Sequence, residues 1–278
     1  MSPSAHSGPF EPFFLPAACG ERFCIFHPAA GTPRGAIVYL HPFAEEMNKS
    51  RRMAALQSRA LAAHGFAVLQ IDLLGCGDSS GEFGEARWEI WKHDAVLAVQ
   101  WIRRRVRAPV HLWGLRLGAL LALDIAADCD ESIGSFLLWQ PVIDGESFLT
   151  QFLRLRVATG MINDGVAQTS TQDLRKELNA GAVMEIAGYD LTPELAHAID
   201  RLKLAELAPR DAPVHWFEVV PEASRPLSPA SRRVANAWIA RGVEVNVRTV
   251  AGEPFWNTIE IAVCPALLDA TDEAISHR

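Results

Sequence analysis

The chain has 278 residues, of which 49% are hydrophobic and 21% are charged, a composition typical of a globular protein long enough to bury a large core. Its net charge of −7 argues against a nucleic-acid partner, because phosphate binding depends on clustered basic residues. The five cysteines form no C-x-x-C pair, and no stretch is long and apolar enough to span a bilayer. We therefore expect a cytoplasmic protein with reduced thiols, no transmembrane segment, no metal and no other cofactor.

Alternating strand and helix signals in the first half of the chain predict a mostly parallel sheet with helices on both faces. An opening strand pair is predicted at 13–26, followed by buried strands at 35–41, 66–72, 110–113 and 134–140. Helices are predicted at 49–64, 88–106 and 117–127. Gly65 follows the first of these helices, as expected of a C-terminal cap.

The pattern changes after the sixth strand. Residues 144–209 carry helix signals only, which predicts a helical cap inserted into the sheet domain. The alternation then resumes with a strand at 213–220, a helix at 228–241, a strand at 243–250 and a last helix at 256–270. The predicted architecture is an eight-stranded core domain made of 1–143 and 210–278, with a helical cap at 144–209.

The stretch V-H-L-W-G-L-R-L-G-A-L-L-A at 110–122 has the outline of a nucleophile elbow, the sharp strand-to-helix turn that presents a catalytic serine. Gly114 and Gly118 flank the turn, as expected where a bend leaves no room for a Cβ atom. The middle position is Arg116, which stays protonated and has no lone pair with which to attack. An elbow conformation would cost arginine about 1–3 kcal/mol, and a relaxed turn is the alternative.

Four motifs in this order resemble the α/β-hydrolase superfamily over nearly the whole chain. They are His41-Pro42 at a strand end, D-L-L-G-C-G-D-S-S-G at 72–81, the elbow, and an insertion after Gln140-Pro141. The sequences H-P-F-A-E-E-M-N-K-S-R-R-M (41–53), W-G-L-R-L-G (113–118), L-W-Q-P-V-I-D-G (138–145) and G-E-P-F-W (252–256) are similar to the exosortase A system-associated hydrolase family, type 2. The resemblance implies the α/β-hydrolase fold and a role with the exosortase A and exopolysaccharide machinery of a bacterial envelope. Its expected protein partners are members of that system, or a second copy in a homodimer.

The catalytic residues that this resemblance implies are not all present. A hydrolase of this type needs Ser, Asp or Glu, and His in that chain order. Arg116 stands at the nucleophile position, Phe255 stands where the histidine is expected, and His277 is the only histidine after residue 215. Glu222 is the first candidate for the acid. We therefore expect a binding or accessory protein without Ser-His-Asp catalysis; the alternative is an active hydrolase or acyltransferase, acting on an ester or thioester, with a displaced catalytic set.

A ligand site is predicted around the elbow. A guanidinium beside the N-terminus of a helix favours a carboxylate or phosphate, although an internal ion pair with Glu45 or Glu46 explains Arg116 equally well. An apolar stripe in the cap, made of Phe148, Phe152, Leu153 and Leu155, predicts a small acidic or acyl ligand with an apolar tail; the alternative is that the stripe only packs the cap onto the sheet. For His41, ordering of its loop is the alternative to ligand contact. The predicted site residues are Arg116, Leu117, His41, Phe43, Glu45, Gln140 and Trp256.

Overall fold

A computed structural model describes residues 10–129, 132–163, 170–209, 211–222 and 224–276. The strands in these ranges are β1 (Glu11–Pro16), β2 (Glu21–His27), β3 (Gly35–Leu40), β4 (Phe66–Ile71), β5 (Val110–Leu115), β6 (Phe136–Trp139), β7 (Met184–Ile186), β8 (Tyr189–Leu191), β9 (Val214–Val220) and β10 (Val245–Ala251). The α-helices are α1 (Glu45–Ala63), α2 (Trp88–Arg105), α3 (Leu117–Asp128), α4 (Gly145–Asn163), α5 (Thr171–Asn179), α6 (Pro193–Asp200), α7 (Pro229–Ala240) and α8 (Pro265–Ser276).

Eight of these strands form one sheet in the order β1-β2-β4-β3-β5-β6-β9-β10. β2 pairs antiparallel with both β1 and β4, and the pairings from β4 through β10 are parallel. Every residue of β3 and β5 is buried. Strands covered on both faces read as continuous apolar runs, and this confirms the predicted mostly parallel sheet.

Helices cover both faces of the sheet. One apolar core joins the sheet to α2, α3 and α7, and a second core on the other face joins it to α1 and α8. Within the described ranges, no helix combines the length and the apolar character needed to cross a membrane. The carboxyl ends of the parallel strands meet at one edge of the sheet, where ligands bind in open α/β folds.

Between β6 and β9 the chain forms α4, α5 and α6, but also a hairpin of β7 and β8. The prediction of helices alone in this region was therefore wrong. Ala187 and Gly188 both have positive φ, 52° and 85°, as a two-residue type I′ turn requires. Strands of three residues are too short to show an alternating pattern, so the turn was the only signal of the hairpin.

Two helix boundaries also differ from the prediction. α1 begins at Glu45, one turn before the predicted start at 49, and its first turn carries Glu45 and Glu46, which suits the positive end of a helix dipole. The last helix begins at Pro265 and not at 256. Proline is favoured in the first turn of a helix, where its missing N–H costs no hydrogen bond.

Candidate functional site

The turn between β5 and α3 keeps the backbone of a strained elbow. Arg116 caps α3 with φ 55° and ψ −116°, a left-handed conformation that is unfavourable for any residue with a Cβ atom. A Cβ atom on Gly114 would collide with the backbone at Gly118 and Ala119, and one on Gly118 would collide with the carbonyl oxygens at the end of β3. The close approach of α3 to the sheet therefore fixes this turn, and the predicted strained elbow is confirmed.

The Arg116 side chain is largely buried and is held on three sides. Its Nε donates a hydrogen bond to Oε1 of Glu46 at 3.2 Å, and 16% of the side chain is exposed. The guanidinium carbon lies 5.4 Å from the ring centre of Trp256 and 5.8 Å from that of Phe148, within the range of cation–π attraction. Nη1 and Nη2 make no hydrogen bond to any described residue. Two donor groups of Arg116 are thus available to a ligand.

Glu46 is the carboxylate that pairs with Arg116, while Glu45 pairs with Lys49 at 3.1 Å. The pair with Arg116 rests on one nitrogen and one oxygen, so it is not the bidentate arrangement that makes arginine–carboxylate pairs strong. Oε2 of Glu46 is buried and accepts no hydrogen bond from the described residues. Burial raises the pKa of Glu46, and the nearby Arg116 only partly opposes this.

A cavity of about 230 Å³ lies over Arg116. Its apolar wall is formed by Phe43, Phe148, Phe152, Leu155 and Trp256. Its polar wall is formed by Glu45, Glu46, Lys49, Arg116, Gln151 and Asn257. The two cations and two carboxylates give the lining no net charge. Such a mixture of aromatic rings with a few polar groups is typical of small-molecule sites.

Four predicted site residues, Arg116, Phe43, Glu45 and Trp256, come together in this cavity. Leu117 does not line it; that residue is buried in the first turn of α3. The prediction missed Lys49, Gln151 and Asn257. Each of the three was recoverable from its neighbours, since Lys49 and Gln151 lie one helical turn after Glu45 and Phe148, and Asn257 follows Trp256.

His41 and Gln140 lie outside the cavity lining and bond to the backbone. Nε2 of His41 accepts a hydrogen bond from the Leu73 amide at 3.2 Å, and its Nδ1 lies 2.7 Å from the Pro42 carbonyl oxygen. This geometry fits the loop-ordering alternative for His41, and burial lowers its pKa. Oε1 of Gln140 accepts from the Val219 amide at 2.8 Å.

The described residues place no histidine at the elbow in the manner of a catalytic triad. Phe255 is fully buried and packs against Trp139 and Trp256. Glu222 is exposed, two residues after the end of β9, and does not line the cavity. His277 lies outside the described residues. In the described part of the chain, no three His, Cys, Asp or Glu side chains form a group that could hold a metal ion.

Comparison with known families and sequences gives two matches. A family model described as serine aminopeptidase, S33, matches residues 31–178, just over half of the chain. A human relative, Protein ABHD12B, is 35% identical over 115 residues, which are 41% of this chain and 30% of that protein. The chain therefore matches less than a third of the length of this relative.

Solved structures resemble the chain over nearly its whole length. A thermostable carboxyl esterase from Bacillus coagulans, solved in complex with glycerol, has a TM-score of 0.65 at 14% identity and covers 96% of this chain and 97% of its own. A soluble variant of monoglyceride lipase from Saccharomyces cerevisiae, solved with a substrate analog, has a TM-score of 0.65 at 12% identity, with coverage of 99% and 96%. An alpha-beta serine hydrolase homologue from Coxiella burnetii has a TM-score of 0.53 at 11% identity, with coverage of 96% of each chain. At such identities the likeness is one of fold, and the fold is that of the α/β-hydrolases.

Proposed function

Because this chain belongs to the serine aminopeptidase S33 family of the α/β-hydrolase superfamily, we propose that it keeps the ligand cavity of that fold without Ser-His-Asp catalysis. In this proposal it is a binding or accessory protein for a small acidic or acyl compound. The compound's polar head contacts Arg116, and its apolar body lies against the aromatic wall of the cavity.

The observation that carries the proposal is the position of Arg116. An arginine stands at the tip of a strained turn, where a hydrolase has its nucleophile, and its two Nη groups have no hydrogen-bond acceptor among the described residues. Donation from Nη1 and Nη2 suits an oxygen atom of a carboxyl group. The N-terminus of α3 beside it adds further attraction for an anion.

Three finer statements extend the proposal. Residues 144–209 act as a cap that closes the cavity, because Phe148 and Phe152 from α4 pack edge-on against the ring of Phe43, at 5.7 and 5.1 Å between ring centres. The sequences at 41–53 and 252–256 support an accessory role in an exosortase A system. The cytoplasmic location, the exopolysaccharide connection and the homodimer stay predictions from sequence.

The proposal is tested by titrating the protein with hexanoate near pH 6 and following binding by NMR. We expect saturable binding, and Arg116→Gln should weaken it by at least about tenfold, since a charge-assisted hydrogen bond contributes about 1.5–3 kcal/mol. Arg154→Gln is the matched control, because Arg154 is exposed on α4 and does not line the cavity. Absence of binding to the unmodified protein, or equal affinity in Arg116→Gln, would contradict the proposal.

The alternative function is an active hydrolase or acyltransferase with a displaced catalytic set, which family membership favours. A fluorophosphonate probe distinguishes the two, because it labels only an activated nucleophile. Stoichiometric labelling of a serine in the folded chain would support the enzyme and overturn the binding protein. The proposed function predicts that the probe labels no serine of the folded chain.

A further inference from the structure

We propose that Glu46 is a second recognition residue of the cavity, and that the ligand's head group carries a hydrogen-bond donor beside its acceptor, as a protonated carboxyl group or a carboxamide does. This inference rests on the proposed function and adds the chemical class of the head group. It also predicts that a carboxylate ligand takes up one proton when it binds.

The geometric basis is the incomplete pairing of Arg116 with Glu46. Nε of Arg116 donates to Oε1 of Glu46. Oε2 of Glu46 is buried without a donor among the described residues, and Nη1 and Nη2 of Arg116 have no acceptor there. Both side chains belong to the same cavity wall. A small rotation of the Glu46 carboxylate about its terminal torsion, which has a broad energy minimum, brings Oε2 to the cavity. A head group with an acceptor and an adjacent donor then satisfies both side chains at once, whereas one with acceptors only leaves Oε2 without a donor and gains no hydrogen bond from it.

Proton uptake follows from the charges in the cavity. An ionised ligand would place a second carboxylate beside Glu46, and two carboxylates that share a site retain one proton between them. In the complex, the proton comes from solvent and lies between a ligand oxygen and Oε2, while the other ligand oxygen accepts from Arg116. Burial among the protein's own side chains raises the pKa of Glu46, so its carboxylate is predisposed to hold that proton.

The other groups that face Glu46 do not offer a second proton site. On α1 the charged neighbours are Lys49 and Glu45, which pair with each other, and on the elbow the charged neighbour is Arg116. The residues that α4 and the loop after β10 contribute to the cavity are uncharged. Titration of ligand binding above the ligand's own pKa therefore reports on Glu46.

The experiment compares three ligands that have the same number of non-hydrogen atoms and different head groups. The cavity of about 230 Å³ has room for roughly eight non-hydrogen atoms at about 30 Å³ each, which matches hexanoate, hexanamide and methyl pentanoate. We expect hexanamide to bind with a similar Kd at about pH 6 and pH 8. The Kd of hexanoate should rise by about tenfold per pH unit over this range, and methyl pentanoate, which lacks a donor, should bind at least about tenfold more weakly than hexanamide.

Glu46→Gln should bind hexanoate without this pH dependence, because its amide donates to the carboxylate and no proton is needed. Glu253→Gln is the control, since Glu253 is exposed in the loop before Trp256 and does not line the cavity. Hexanoate binding that is independent of pH, or an ester that binds as tightly as the amide, would overturn this inference and leave the proposed function intact. Absence of hexanoate binding would overturn both. The ligand series in the unmodified protein decides the matter even if Glu46→Gln does not fold.

Discussion

Arg116 combines a strained backbone with a buried and paired side chain, and the two features have opposite effects on stability. The positive φ of 55° costs about 1–3 kcal/mol for a residue that has a Cβ atom. The contacts of the side chain with Glu46, Trp256 and Phe148 offset part of this free-energy cost. Replacement of Arg116 by alanine and by glycine separates the two effects.

We expect Arg116→Ala to lower the free energy of unfolding by about 1–3 kcal/mol, because it keeps the strain and leaves the buried Glu46 without a cation. Arg116→Gly also loses the side chain but removes the strain, so it should be about 1–2 kcal/mol more stable than Arg116→Ala. Urea unfolding followed by circular dichroism measures both values.

Arg154, in the interior of α4, supplies a control of opposite sign. There the glycine variant should be less stable than the alanine variant by about 1 kcal/mol, since glycine is a poor helix former. If glycine were also the less stable choice at position 116, the elbow would not be strained.

At the scale of secondary structure elements, buried strands could be predicted from sequence more accurately than turns and helix ends. β3 and β4 differ from the prediction by one residue, because short runs rich in β-branched and aliphatic residues between turn residues are typical of buried strands. The start of α8 was predicted nine residues too early, because Trp256 lies in an apolar stretch whose buried side chains fill a loop and not a helix.

The candidate site was predicted in part for a similar reason. The sequence left open whether Arg116 pairs with Glu45 or Glu46, because the predicted helix began after both residues. Successive side chains on a helix point about 100° apart. Once α1 starts at Glu45, only one of the two can face the elbow. The contacts of His41 depend on the backbone of a loop from another strand, which no local pattern records.

The three helices between β6 and β9 share one bridging side chain. Nη1 of Arg175 on α5 donates to both carboxylate oxygens of Asp200 at 3.0 and 2.8 Å, and its Nη2 donates to the carbonyl oxygen of Glu146 and the hydroxyl of Thr150 on α4. Arg175 therefore links α5 to both α4 and α6.

Arg175→Ala should accelerate amide hydrogen exchange in α5 and lower the stability of the protein by about 1–3 kcal/mol, because it removes several charge-assisted hydrogen bonds at once. Lys176→Ala is the matched control, since the neighbouring Lys176 is 76% exposed and, among the residues that the structure describes, pairs with Asp173 of the same helix alone. Similar exchange rates in the two variants would show that Arg175 does not hold the cap together.

At the scale of the whole molecule, buried histidines make stability depend on pH. Burial lowers the pKa of His27 from 6.5 to about 4, and it also lowers the pKa of His41. A histidine whose pKa is lower in the folded protein makes its full contribution to stability above pH 6.5. For His27 that contribution is lost as the pH falls from 6.5 to about 4. Burial of Glu46 and Asp94 raises their pKa values, and their protonation opposes the loss.

The contribution of His27 is measured by comparing variants at the same pH. Between pH 7 and pH 5, the unmodified protein should lose about 2 kcal/mol more stability than His27→Gln, because the imidazole of His27 takes up a proton once unfolding exposes it, whereas glutamine takes up none. The exposed His93 is the control, and His93→Gln should show the same pH dependence as the unmodified protein. Parallel curves for all three proteins would contradict the burial argument.

The elbow owes its shape to residues other than the one at its tip. Gly114, Gly118 and the carbonyl oxygens at the end of β3 fix the path of the backbone, and the side chain at position 116 only has to fit the space above it. The sheet and the helix can therefore keep their positions whichever side chain stands at the tip of the turn. A comparison of overall shape reports on the glycines of this turn and carries no information about the chemistry of residue 116.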